Sequence, residues 1–256
     1  MITQRERTLW VVTINRPQKR NCVDAETAEL LQAAATMFRD DDSLDVMLLS
    51  GAGDQAFCSG ADLTDVKNIA GRADAWTFGP MGFTHMQFEK PIIAAINGYC
   101  TAGGLELACF CDFRIADQNA QFGVLNRRFG VPLIDGGTQR LPRIVGLGNA
   151  LYLIETGVLL DAAQALRMGL VQEVVEPGGA LRRAREIAAA MVTYPKAAMR
   201  NDRKAVFAGL NLSLKAGIAV ELQCHKDALA DVEMAAGLER FSQGARPQPL
   251  KNKDGS

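Results

Sequence analysis

The chain has 256 residues, 48% of them apolar, and 28 basic side chains against 29 acidic ones, for a formal charge of -1. That length and apolar share support a large buried core. The near-neutral balance leaves no basic field of the kind nucleic acids require, so an anionic ligand must be met by local Arg and Lys. No uninterrupted apolar run reaches membrane-spanning length, and the opening MITQRERTLW has charges where a signal peptide needs an apolar centre. A cytoplasmic protein without membrane partners is therefore expected.

Thr8 to Asn15 is β-branched and aromatic and stops at Arg16-Pro17, which predicts a strand. Ala25 to Arg39 follows Asp24 with apolar residues at helical spacing. Asp45–Ser50, Pro91–Asn97 and Asp112–Ala116 read as buried strands, separated by glycine turns and helical runs. This alternation predicts an α/β architecture. From about Gly136 the pattern turns helical, clearest at Asn149–Thr156, Ala162–Met168, Ala180–Val192 and Leu212–Ala230, with a short strand at Leu170–Glu176. Thr64–Glu89 has no clean periodicity and is expected to form a mobile wall over a pocket. Arg246–Ser256 is rich in Pro, Gly, Lys and Asn and reads as a loose tail.

Two glycine segments carry the chemistry. GAGDQAFCSGADL (Gly51–Leu63) and NGYCTAGGLELACFCD (Asn97–Asp112) each follow an apolar run and set backbone N–H groups beside a carboxylate. Two convergent amides form an oxyanion hole, and small residues let a ligand approach the backbone closely. Ala61 and Gly103 are the candidate donors. Gly103 opens a predicted helix whose first N–H groups lack intrahelical partners and favour negative charge. Glu106, three residues on, falls in the first turn of that helix, where it can serve as an acid or base.

Other chemistries have weaker support. Gly51 to Ala56 matches G-x-G-x-x-A with Asp74 further on, the outline of a dinucleotide fingerprint, but poor helix formers follow it. That segment leaves a nicotinamide-dependent oxidoreductase as an alternative. Cys22, Cys58, Cys100, Cys109, Cys111 and Cys224 show neither C-x-x-C nor zinc-type spacing and read as reduced thiols. His85 and His225 lack companions at ligand spacing, so no metal is expected. Ser59 lacks a G-x-S-x-G frame, which disfavours nucleophilic hydrolysis.

The run AFCSGADL, then PIIAAINGYCTAGGLELACFCDFRIA, then FGV and GVPLIDGGTQRLPRIVG, resembles the crotonase superfamily of enoyl-CoA hydratases and isomerases. The resemblance extends to the opening NRPQKRNCVD and the closing DVEMAAGLERFSQGARPQP. It implies a spiral of ββα units over residues 1–195 and a helical C-terminal region over 196–256 that packs in trimers or hexamers. The implied substrate is an acyl-CoA thioester, with CoA arriving as part of it and no further cofactor. By motif position Ala61 and Gly103 supply the oxyanion donors and Glu106 the first catalytic carboxylate. Arg20 to Cys22 match a segment that lines the CoA site, with Arg16 and Lys19 beside it as candidate phosphate contacts. Asp62 and Leu63, adjacent to Ala61, are placed as substrate contacts, although Asp62 also reads as a turn residue.

One position departs from the family pattern. The second hydratase carboxylate follows the FG pair, and here FGVLN puts Asn126 there. Asn can orient water but exchanges no proton at neutral pH. Asp135 is the candidate replacement, and it reads equally as an N-cap for a helix starting at Gly136. Arg127-Arg128, beside Asn126, could meet a polar acyl group or pair at the surface. Hydration of a 2-enoyl-CoA is the leading expectation. Double-bond isomerisation, which needs only one proton shuttle, and acyl-CoA binding without turnover are the alternatives.

Overall fold

A computed structural model describes residues 1–72, 74–228, 232–246 and 250. Contacts group the chain into two compact units, Met1–Glu186 and Ile187–Ser256.

The first unit begins with β1 (Ile2–Glu6) and β2 (Leu9–Ile14), then α1 (Ala25–Asp40), β3 (Val46–Gly51) and β4 (Ala56–Cys58). The wall segment holds two short helices, α2 (Val66–Gly71) and α3 (Ala75–Phe78). Next come β5 (Ile92–Ile96), β6 (Tyr99–Thr101), α4 (Gly103–Phe110), β7 (Phe113–Asp117) and β8 (Gln121–Gly123). After a short 3-10 turn the chain forms α5 (Gly137–Val145), α6 (Leu147–Thr156), β9 (Leu160–Asp161), α7 (Ala162–Arg167), β10 (Glu173–Val175) and α8 (Ala180–Met191).

These strands make two sheets, ordered β1-β2-β3-β5-β7-β10 and β4-β6-β8-β9. Successive strands alternate between the sheets, β3 then β4, β5 then β6, β7 then β8, with helical turns closing each step, so the chain winds as a spiral of ββα units. β2, β3, β5, β7 and β10 run parallel, and β3 and β5 are buried along their whole length. Burial on both faces is why these strands appear as continuous apolar runs rather than alternations.

β1 escapes the sequence reading because ITQRE presents no apolar face. It is an edge strand, antiparallel to β2 from Ile2↔Thr13 to Glu6↔Leu9, and its charged residues blunt that edge. The strands of the second sheet escaped for another reason: at two or three residues each they are too short to show a period.

α1 follows its sequence signals closely. Asp24 caps it by accepting from Thr27 N at 2.9 Å, and Ala28, Leu31, Ala34, Ala35 and Phe38 form its buried stripe. Trp10 of β2 donates its indole N–H to Ala34 O at 3.0 Å, which pins the helix to the sheet.

The second unit contains α9 (Lys196–Gly209), α10 (Leu214–Ala228) and α11 (Val232–Ser242). α9 and α11 are additions to the predicted elements. In α9 only Ala205 is buried, so there is no apolar stripe to read. Glu233 at the start of α11 accepts from Lys196 N (2.8 Å) and Ala197 N (3.3 Å), satisfying first-turn donors of α9. Apart from Arg246 and Leu250, the tail expected over 246–256 lies outside the described residues. Among the described residues no helix is long and apolar enough to cross a membrane.

Candidate active site

Two chain reversals meet where the sheets face each other. After β4 the chain passes through Ser59-Gly60-Ala61, and Ala61 makes an isolated parallel bridge to Val23. Its hydrogen bonds are Val23 N to Gly60 O (2.9 Å) and Asp62 N to Val23 O (2.7 Å). Both use the peptide groups flanking Ala61, so the Ala61 N–H faces the other way and takes part in no ladder. The second reversal joins β6 to α4. Ala102 sits there at φ 53, ψ -127, an uncommon conformation for a residue with a β-carbon that costs about 1–3 kcal/mol. The turn presents the N–H of Gly103, which as the first helical residue has no partner within the helix.

The two amides lie side by side. A β-carbon built on Gly103 would stand 3.5 Å from the Ala61 nitrogen, and one on Gly60 would stand 3.0 Å from the Gly103 nitrogen. Gly60, at φ 107, therefore has to be glycine for the loops to come this close.

Glu106 is 4% exposed, in the first turn of α4. Its Oε1 accepts from Asp135 N (2.9 Å) and Gly137 N (2.8 Å), and nothing among the described residues bonds Oε2. A β-carbon on Gly137 would come within 2.8 Å of both Cγ and Oε1, so this glycine makes room for the carboxyl. Burial, reinforced by the neighbouring Asp135, pushes the Glu106 carboxyl up to about 7.

Asp135 is 3% exposed. Its Oδ1 accepts from Met81 N (2.9 Å) and from the Thr84 hydroxyl, while Oδ2 has no partner among the described residues. Burial raises its carboxyl above the usual carboxylate range. The capping reading of Asp135 fails: α5 is preceded by Gly136 at φ 89 and has no side-chain cap. The amide of Asn126 is anchored by its Nδ2, which donates to Val131 O at 2.7 Å, while its buried Oδ1 has no partner among the described residues.

A cavity of about 220 Å³ adjoins these groups, with Ala61, Gly103, Glu106, Asn126 and Asp135 all on its wall. Ile69, Leu125 and Val131 contribute apolar surface. The wall segment after Leu63 does flank a pocket, through Val66, Ile69 and Met81.

The remaining candidate substrate contacts divide. Arg20 and Leu63 line the cavity, and Arg20 stacks its guanidinium 5.1 Å from the Tyr99 ring centroid. Cys22 and Asp62 do not line it. Both are tied to Arg16, whose guanidinium bonds Cys22 O (2.7 Å), Asp24 (2.9 Å) and Asp62 (3.2 Å). Arg16 is thus engaged in fastening two loops together, and its ion pairs occupy the donors a phosphate would use. Arg127 and Arg128 each donate one hydrogen bond to the backbone, to Ile154 O and Gly157 O respectively, and neither lines the cavity.

Gly51–Ala56 leads from β3 into β4 and starts no helix, so the dinucleotide outline lacks its phosphate-binding turn. Among the described residues no three His, Cys, Asp or Glu side chains gather at metal-binding distance. Met81, Thr84, Gly137 and Arg140 support the site and escaped notice in the sequence. The GGTQR motif was the available signal for the last two.

The family model for enoyl-CoA hydratase/isomerase matches residues 4–249. The chain is 34% identical over 245 residues to the crotonyl-CoA hydratase of Syntrophomonas wolfei, covering 94% of each chain. It is 33% identical to the short-chain-enoyl-CoA hydratase of Clostridium acetobutylicum, covering 99% of this chain and 98% of the relative. Among solved structures, an enoyl-CoA hydratase from Bacillus anthracis superposes with a TM-score of 0.87 at 32% identity, covering 97% of this chain and 98% of that one. One from Mycobacterium marinum gives a TM-score of 0.88 at 29% identity, covering 96% and 97%. With the spiral of ββα units, the facing amides and the matching family model all in one chain, this protein belongs to the enoyl-CoA hydratase/isomerase family.

Proposed function

We propose that this enzyme adds water across the double bond of a 2-enoyl-CoA thioester, using Ala61 and Gly103 as oxyanion donors and Glu106 with Asp135 as the acid–base pair. The observation that carries the reading is two unengaged amides beside two buried carboxyl groups, each carboxyl anchored through one oxygen and free at the other. The thioester oxygen accepts from both N–H groups, which hold the charge that develops as the enolate forms. One carboxylate takes a proton from water as its oxygen bonds Cβ. The other carboxyl, protonated, gives its proton to Cα, and proton exchange within the pair and with solvent restores the starting state.

CoA enters as part of the substrate, with Arg20 at the cavity wall as a cationic contact and no separate cofactor taking part. Five of the six thiols are buried and none is paired, in keeping with a reducing, cytoplasmic setting. The second unit leaves Leu214 (82% exposed), Val232 (81%) and Leu222 (63%) uncovered in the single chain. Apolar exposure of this kind supports assembly as a homotrimer or homohexamer. Sedimentation equilibrium of the whole chain is expected to return the mass of three or six subunits; a monomer would remove that part of the proposal.

Asp135→Asn tests the reaction. Hydration of 2-enoyl-CoA is expected to fall about 10²-fold, because the pair loses one of its two exchangeable positions. Isomerisation of a 3-enoyl-CoA, which needs a single shuttle between Cα and Cγ, should stay within several-fold of wild type. Chromatography of products from 2-enoyl, 3-enoyl and 3-hydroxyacyl thioesters reads both at once. Unchanged hydration would remove Asp135 from the mechanism, and isomerisation as the only conversion by wild type would replace hydration as the reaction.

A further inference from the structure

Arg140 of α5 is a half-buried cation whose hydrogen bonds all go to neutral groups. One guanidinium nitrogen donates to Asp135 O at 2.7 Å and another to Thr84 O at 2.6 Å, and its central carbon lies 4.8 Å from the Phe110 ring centroid. Among the described residues it makes no ion pair. Gly136 keeps the space open for it, since a β-carbon there would overlap the guanidinium. A cation taken out of water requires a compensating anion nearby. The groups placed to provide it are Glu106 and Asp135, which are linked to Arg140 and to each other through the Asp135 backbone.

We infer that Arg140 is a positioning residue whose charge holds the Glu106–Asp135 pair at one proton, so that an acid and a base coexist in the resting enzyme. This rests on the catalytic reading of the pair given above. The charge count is the reason. With both carboxyls ionised, two like charges face each other across a poorly solvated site. With both protonated, the cation has no counter-charge. With one proton on the pair, the three groups sum to zero.

Three other titratable side chains lie around them, and of these only His85 bears on the pair. Cys109 and Cys111, on the α4 side, are buried thiols; burial pushes Cys109 up to about 11 and Cys111 higher still, so both stay neutral. His85 is the one other group here able to carry positive charge. It stands at the exposed end, its ring nitrogens 3.3 Å from Trp76 O and 3.2 Å from Ile134 O, and a charge there favours ionisation of Asp135 ahead of Arg140, whereas Arg140 acts on both Asp135 and Glu106.

The test is the pH dependence of kcat/KM for hydration in Arg140→Met, Arg140→Lys and His85→Gln. Loss of the cation makes the pair harder to ionise, so in Arg140→Met the acid limb should move to higher pH by about one unit or more. Activity at neutral pH should then fall about tenfold and recover on the alkaline side. Arg140→Lys, which keeps the charge, should hold the limb near its wild-type position. A purely structural role would lower kcat without moving the limb, and that result in Arg140→Met overturns the inference, as does a larger shift in His85→Gln than in Arg140→Met. Should Arg140→Met fail to fold by circular dichroism, infrared difference spectra of wild type against Glu106→Gln and Asp135→Asn count the protonated carboxyls directly. One at neutral pH is expected, and two or none overturns the inference. Failure of the catalytic reading shows separately, as unchanged hydration in Asp135→Asn, whatever the limb does in Arg140→Met.

Discussion

Glu106→Gln is expected to lower kcat for hydration about 10²- to 10⁴-fold, equivalent to about 3 to 5 kcal/mol of barrier, with KM nearly unchanged. The amide keeps the acceptor that Asp135 N and Gly137 N require, so the first turn of α4 and the chain around Asp135 remain in place. What disappears is the exchangeable proton on the free oxygen. Isomerisation of a 3-enoyl thioester should be lost as well, because it draws on the same carboxyl. Full retention of either activity, followed by the absorbance of the conjugated thioester, would refute the assignment.

The same variant carries a stability signature with a definite sign. Burial first and Asp135 second raise the Glu106 carboxyl from 4.5 to about 7 in the folded protein. A carboxyl whose folded value is raised favours folding fully below its unfolded value, and that contribution is lost as pH climbs through the folded value. Wild type should therefore lose about 3 kcal/mol relative to Glu106→Gln between the ordinary carboxylate range and neutrality, then level off. Melting temperatures of the two proteins should converge in acid and separate in mild alkali, with the Gln variant higher. Parallel curves would show that the carboxyl is not desolvated.

Ala61→Pro is the second large effect, expected to cost about 10²- to 10³-fold in turnover, or about 2.7 to 4 kcal/mol. Proline removes one of the two N–H donors. The bridge to Val23 survives, because it is made by Gly60 O and Asp62 N rather than by Ala61 itself. Ala61→Gly, which keeps the donor, should retain most of the activity. If Ala61→Pro folds with unaltered turnover, the thioester oxygen is not held at this nitrogen.

How much of this was legible beforehand depended on the range of the interaction. The central strands and α1 announce themselves because each is encoded within its own segment, by a fully apolar run or by a cap and a buried stripe. The meeting of the loops at Ala61 and Gly103 was legible because close backbone approach restricts the residue types locally, and the first-turn position of Glu106 followed from its spacing after Gly103. Asp135 could not be resolved from a helix cap, since its partners Met81 and Thr84 lie far away along the chain in a segment with no pattern. Arg16 invited a phosphate for a similar reason: nothing local indicated that Asp62 would come back to it. In the second unit α10 was legible, whereas α9 and α11, with few buried positions, offered little periodicity to read.

The tight seating of α4 has a wider consequence. A β-carbon on Gly104 would overlap the Cys58 carbonyl, so the start of this helix rests directly on the end of β4. Gly103 and Glu106 ride together on that one rigid piece, so in the proposed mechanism the spacing between the carbonyl grip and the proton shuttle is fixed regardless of what acyl group enters. Choice among acyl groups is left to the flanking surfaces that contain Ile69, Leu125 and Val131. Retargeting the enzyme to a different acyl chain is thus a matter of redrawing those flanks while the helix and its strand are left untouched.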